Sequence, residues 1–162
     1  MIPAPDIELS GSALKSTIER FSRNRILVVG DIILDKYVWG HVSRISPEAP
    51  VPVVEVKQET KRLGGAANVL NNVAALGGHA ILCGVVGDDR AGREIQERVR
   101  SMGLPVQGIL TVADRPTSVK SRVVAHNQQV VRFDREDRRT ISEEEIGSIL
   151  SFVEQVRDQV DA

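Results

Sequence analysis

The apolar positions change period along the chain, and each change predicts an element. Ala13, Leu14, Ile18 and Phe21 recur at roughly helical spacing behind Ser10, Gly11 and Ser12, which can cap. That predicts a short amphipathic lead-in helix over 13 to 21. Ile26 to Gly30 is a continuous apolar run ended by glycine, which predicts a fully buried strand. From Asp31 to Leu63 the chain is expected to be irregular, with Pro47, Pro50 and Pro52 inside it. Its β-branched run, Val51 to Val56, is assigned to an edge or exposed strand, because proline cannot donate to a central ladder.

Val69, Val73 and Leu76, with Leu70 and Ala74 beside them, predict a helix that Gly77-Gly78 stop. Ala80 to Gly87 predicts a second buried strand. Asp88 or Asp89 can then cap a helix carrying Ala91, Ile95, Val99 and Met102, closed by Gly103. Val106 to Val112 is a third strand candidate. Strand, helix, strand, helix, strand argues an α/β fold with a parallel sheet. Ser118 to Ala125 and Gln129 to Phe133 then read as a hairpin through His126-Asn127-Gln128. Ser142 and Glu145 make a capping box, with Ile141 and Ile146 placed as a hydrophobic staple. The helix they open is expected to bury Ile146, Ile149, Leu150, Val153, Val156 and Val160. The chain stops at Asp161-Ala162, where such a pattern would start its next strand, so a truncation is expected.

Composition narrows the partners. With 162 residues, 41% hydrophobic and 27% charged, the chain has the makeup of one soluble domain. Its 21 Lys plus Arg against 22 Asp plus Glu leave no global footprint for nucleic acid or anionic lipid. A local basic pocket for a phosphorylated small molecule remains open. The single cysteine, Cys83, excludes an intrachain disulfide and a Cys-built zinc site, and the three histidines lie far apart in sequence. No metal site is expected. The opening MIPAPDIELSGS lacks a basic region followed by an apolar run, and no stretch approaches a membrane span. A cytoplasmic protein is expected.

Candidate chemistry gathers in three places. Gly64-Gly65-Ala66-Ala67-Asn68 opens a helix directly, so small residues and unpaired N–H groups could meet a ligand there. A plain loop-to-helix turn explains the same glycines equally well. Asn68 offers an amide in the first turn. Asp31 and Asp35 follow the first strand at its C-terminal end, where α/β sheets bind ligands, although spacing alone favours turn formers. Lys120 and Arg122 share a hairpin face, and Arg132 lies on the facing strand; either a solvated face or a phosphate clamp fits. Neither a G-x-G-x-x-G nor a G-x-x-x-x-G-K-[ST] occurs.

Taken together these residues resemble the ribokinase-like (phosphofructokinase B type) sugar kinases. Gly64, Gly65, Ala66, Asn68, Gly77 and Gly87 match the first family signature; Leu70 departs from it, where the family usually has a small residue. VVGDIILDKYVWG, SRISPEAPVPVVEV and TSVKSRVVAHNQQVVRFD are similar to the D-glycero-β-D-manno-heptose 7-phosphate kinase domains of bifunctional heptose kinase/ADP-heptose synthases. The resemblance spans roughly Ile26 to Asp134. It implies a Rossmann-like ribokinase fold with a small β-sheet lid, its segments at about 36–62 and 118–133. It further implies that Asp35 and Asn68 hold sugar hydroxyls, that Gly64 and Gly65 allow close backbone approach, and that Asp31, Lys120 and Arg122 contact substrate.

Such a kinase would phosphorylate the anomeric hydroxyl of the heptose 7-phosphate from ATP with Mg2+, on the way to lipopolysaccharide core. The family's catalytic aspartate lies in a G-A-G-D motif of the second half, and no G-A-G-D occurs in these 162 residues. No catalytic residue is therefore assigned, nucleotide is not expected to bind well, and residues 1–162 are read as the N-terminal part of one kinase domain. A phosphorylated sugar and a second copy, paired through the lid with Tyr37, Val38 and Trp39 as apolar area, are the expected partners. Another ribokinase-like sugar kinase, or a non-catalytic sugar-binding or dimerisation module, are the alternatives.

Overall fold

The computed structural model describes residues 10–162; residues 1–9, most of the opening segment read above, and the side chain of Ala13 lie outside the described part. Along the chain follow helix α1 (Gly11–Glu19), strand β1 (Arg25–Val29), strands β2 (Ile32–Ile45) and β3 (Pro52–Gly65), and helix α2 (Ala66–Ala75). Strand β4 (His79–Gly87), helix α3 (Arg90–Ser101), strands β5 (Ile109–Val112), β6 (Ser118–Ala125) and β7 (Gln128–Arg135), and helix α4 (Glu143–Val156) complete it.

Two sheets result. β1, β4 and β5 lie side by side in that order, all parallel, as the alternating strand–helix pattern requires. Leu82, Val86 and Ile109 from this sheet pack with Leu70 of α2 and with Ile95 and Val99 of α3 in one apolar cluster. Asp89 caps α3 by accepting from the Gly92 N–H at 2.9 Å. Leu70 has no exposed surface. The side chain that departs from the small-residue pattern thus fills the core.

The second sheet is mixed, in the order β3-β2-β6-β7. It corrects the expectation of an irregular segment from 31 to 63. Two strands of 14 residues each run through that region, antiparallel, from Ile32↔Gly65 to Ile45↔Pro52. The prolines fit this arrangement. Pro47 and Pro50 fall in the connection and Pro52 begins β3, the edge strand, where a missing N–H costs no ladder bond. Bulges at Trp39/Gly40 and Val42/Arg44 interrupt the period-two alternation. The β6–β7 turn carries His126 and Asn127 at φ 49° and 61°. Two successive left-handed residues are what a tight two-residue hairpin needs to match the strand twist.

Other expectations shift in detail. On α2, Val69 and Leu76 are exposed, while Ala66, Ala67 and Leu70 are buried. The apolar stripe is rotated because the small residues face the sheet. β5 is shorter than predicted, since Val106 accepts a turn bond from Ile109 N–H at 3.0 Å. The Ser142–Glu145 capping box forms on α4. That helix buries Val156 and half-buries Ile149, Phe152 and Val153, leaving Ile146 and Leu150 on an exposed flank. The backbone of Asp161 and Ala162 hydrogen-bonds to the outer edge of β1 at Arg25 and Leu27.

Candidate sugar-binding site

The mixed sheet joins the parallel core where β1 ends. Gly30 and Asp31 link β1 to β2, and β3 runs directly into α2. Gly65 is the residue before that helix and adopts φ +56°, with the Asp31 carbonyl oxygen so close that any Cβ there would collide. The Asp31 carbonyl accepts from Ala66 N–H at 2.9 Å. Asp31 therefore acts through its backbone as a turn former, while its side chain is exposed and lines a cleft. Asn68 is exposed in the first turn of α2.

Period two places Asp35, Tyr37 and Trp39 of β2 on one face of the mixed sheet, with Arg62 of β3 opposite Asp35 and Arg122 of β6 opposite Tyr37. Asp35 Oδ1 accepts from Arg122 at 2.5 Å, and both side chains are only about one-fifth exposed. The Asp35 hydrogen bond raises the Arg122 guanidinium above its ordinary pKa, against the opposing effect of burial. Gly64 makes this possible, because a Cβ there would lie well inside contact distance of Asp35 Oδ2. Tyr37 lies under both guanidinium groups, Arg122 at 5.4 Å and Arg62 at 5.9 Å from the ring centroid. Trp39 stacks on Tyr37 at 5.8 Å and donates from Nε1 to Thr60 Oγ1.

The structure thus brings Asp35, Gly64 and Arg122 together, and sets Asp31, Gly65 and Asn68 beside the α2 entrance. Lys120 lies on the same face as Arg122 but is engaged by Asp134 at 3.7 Å and Glu136 at 3.5 Å. Tyr37, Val38 and Trp39 do not form one patch, since Val38 points to the opposite face and is buried. Arg62 escaped the sequence reading, and Tyr37 was assigned there to a contact between copies instead of to this cluster. Arg62 and Tyr37 are recognisable only once β3 is seen to pair with β2, for Arg62 lies two residues before Gly64 on the same face.

A separate cleft of about 610 Å³ opens at the C-terminal ends of β1 and β4, lined by Gly30, Asp31, Gly84, Arg115, Ser118 and the 136–141 loop. That volume suits a small molecule. Of the sequence-nominated residues only Asp31 lines it. The Arg139 side chain and backbone N–H both donate to Asp137, which pulls its pKa down to about 2. Among the described residues no three His, Cys, Asp or Glu side chains converge as metal ligands, and no helix is long and apolar enough to cross a membrane.

The profile of the pfkB family carbohydrate kinases matches residues 23–157. The bifunctional protein HldE of Wolinella succinogenes is 51% identical over 131 residues, covering 81% of this chain and 28% of that protein. Other bifunctional HldE proteins match at 44–47% identity. The chain spans only 28–30% of the length of these relatives. Ribokinase from Giardia lamblia superposes with a TM-score of 0.59 at 17% identity, over 80% of this chain and 42% of that one. Ribokinase from Cryptococcus neoformans, solved with ADP, gives 0.50 at 25% identity, over 70% and 34%. The Rossmann-like ribokinase fold expected from sequence is the fold observed.

Proposed function

The chain belongs to the pfkB family of carbohydrate kinases, and from that premise we propose that it is the sugar-binding part of a kinase acting on D-glycero-β-D-manno-heptose 7-phosphate. The observation that carries this reading is the Asp35–Arg122 pair in the space cleared by Gly64. A carboxylate that accepts from hydroxyls, next to a guanidinium that donates to a phosphate, suits a phosphorylated sugar better than a neutral one. The 44–51% identity to bifunctional HldE proteins supports the same substrate class.

In this reading Asp35 and Asn68 fix the sugar ring, Gly64 and Gly65 let it approach the backbone, and the mixed sheet is the lid. Lys120 and Arg122 line the substrate's phosphate side, and Asp31 is a further substrate contact. Phosphoryl transfer depends on positioning and on charge stabilisation at the transferring group. The residues here supply the first: they hold the anomeric hydroxyl in place. ATP with Mg2+ provides the phosphoryl group in the complete kinase, and the G-A-G-D aspartate that would act on it is not among these residues. Residues 1–162 alone therefore bind sugar phosphate without turning it over. The protein works in the cytoplasm, where its nucleotide is made.

The opposite face of the mixed sheet sets exposed apolar side chains beside the charged Lys36, Glu59 and Lys61. Val56, Val131 and Phe133 stand exposed there, and this face pairs with a second copy.

Thermal unfolding against a sugar panel tests the substrate assignment. A ligand at a hundred times its Kd stabilises by about 2.7 kcal/mol, a shift of several degrees for a domain of this size. Heptose 7-phosphate is expected to raise Tm, with ribose and fructose 6-phosphate giving less. A larger shift with either of those would move the assignment to another ribokinase-like sugar kinase.

A further inference from the structure

Arg62 is exposed, and among the described residues it forms no ion pair; its contact is the face of Tyr37. Arg122 lies against the same ring from the strand on the other side of β2 and is tied to Asp35. Two guanidinium groups within 6 Å of one aromatic ring have one carboxylate between them. Asp134 acts on Arg122 from a distance but is shared with Lys120 and Arg132, Glu136 is shared by Lys120 and Arg138, and Arg62 is left with no carboxylate partner among the described residues. Tyr37 follows Asp35 by two residues, so the ring lies about 6–7 Å further along the strand. That is the order of separation between the ring hydroxyls of a heptose and the substituent at its far end.

We propose that Arg62 and Arg122, held over Tyr37, are the clamp for the phosphate monoester of the substrate, and that clamping draws Arg122 off Asp35. This rests on the phosphorylated-heptose reading above and sharpens it: Arg62 takes the place given to Lys120, and the phosphate unlocks the sugar site. A phosphate monoester carries close to two negative charges and three acceptor oxygens at neutral pH, against one charge on Asp35. It therefore outcompetes the carboxylate for a guanidinium, the more so with a second guanidinium beside it. Asp35, once released, has both oxygens for sugar hydroxyls. A sugar without phosphate must break the Asp35–Arg122 bond unaided.

The test is calorimetric titration of this chain with heptose 7-phosphate and with unphosphorylated heptose, comparing wild type, Arg62→Ala, Arg62→Lys and Arg122→Ala. Fluorescence of Trp39, the single tryptophan, stacked on Tyr37, gives a second readout. Arg62→Ala is expected to weaken the phosphorylated sugar at least tenfold and leave the neutral sugar unchanged, with Arg62→Lys intermediate. Arg122→Ala is expected to weaken the phosphorylated sugar while binding neutral heptose as well as wild type or better, because Asp35 is no longer occupied. Selectivity for the phosphorylated sugar that survives Arg62→Ala, or equal weakening of both sugars by Arg122→Ala, overturns the clamp alone. Wild-type protein that prefers neither sugar overturns the clamp and the heptose phosphate reading together.

Discussion

Asp35 on β2 accepts a 2.5 Å hydrogen bond from Arg122 on β6, and it does so in a space that exists only because residue 64 is glycine. Gly64→Ala is therefore expected to push the carboxylate off its position. Sugar phosphate affinity should fall about tenfold or more, comparable to losing one charge-assisted hydrogen bond of roughly 1.5–3 kcal/mol. A variant that keeps wild-type affinity would show that the carboxylate's placement is immaterial to binding.

Asn68 stands at the start of α2, exposed and close in sequence to the Gly65 turn. Replacing it by alanine changes nothing in the core, so the fold should persist with an unchanged far-ultraviolet spectrum. With the amide in its proposed role at the sugar hydroxyls, neutral and phosphorylated heptose should lose affinity in equal proportion. Unequal losses would assign Asn68 to the phosphate instead.

Much of this arrangement was legible in the sequence, and what was not has a definite cause. β4, the α3 cap at Asp89 and the α4 capping box follow from short-range patterns that the structure reproduces; β1 forms where expected but is not fully buried, since it buries only Val28 and exposes Val29 at the strand end that borders the cleft. The long β2–β3 hairpin was hidden because its alternation is broken by bulges and one of its faces carries charge: Lys36, Glu59 and Lys61 occupy inward-parity positions. Lys61 is satisfied there by an ion pair with Glu94 on α3, a long-range contact that no local pattern announces. Asp35 was nominated by the family resemblance, since its place after the first strand alone favoured a turn former; its pairing with Arg122 spans 87 positions and needed the β2–β6 register.

Asp89 ties the start of β6 in the mixed sheet to α3 in the core. Its carboxylate caps α3 through Gly92 N–H and also accepts from the Thr117 hydroxyl at 2.7 Å and the Thr117 N–H at 3.1 Å, just before β6. Asp89→Ala is expected to cost about 1–3 kcal/mol, a lost cap together with buried Thr117 donors left unpaired, read as a lower urea midpoint. Burial raises the Asp89 pKa, but the Gly92 and Thr117 hydrogen bonds outweigh it, so the net shift is downward. The sign follows: a depressed folded value contributes stability above the ordinary aspartate pKa and loses it as pH falls through the folded one. Acid unfolding of wild type should therefore be steeper than that of Asp89→Asn below about pH 4. Parallel acid curves for the two proteins would remove Asp89 from the linkage.

The exposed Val56, Val131 and Phe133 predict a specific dimer through their face of the mixed sheet. Phe133→Asp, on the edge strand β7, places charge on that face and should shift the sedimentation profile to monomer. Trp39→Ala, on the opposite face, should leave the dimer intact, because Trp39 is occupied with Tyr37 and Thr60. Dissociation by Trp39→Ala and not by Phe133→Asp would place the interface on the sugar-binding face instead.

The central claim is that this chain carries the sugar site of a heptose 7-phosphate kinase, with Asp35 as its hydroxyl acceptor. Titration calorimetry of wild type and Asp35→Ala with heptose 7-phosphate, alongside an ATP turnover assay of the same preparation, tests it most directly. The account predicts saturable binding at one site per chain, weakened by Asp35→Ala one to two orders of magnitude, and no turnover by the chain alone. Binding of equal strength by both proteins, or turnover at about 1–100 per second, would contradict it.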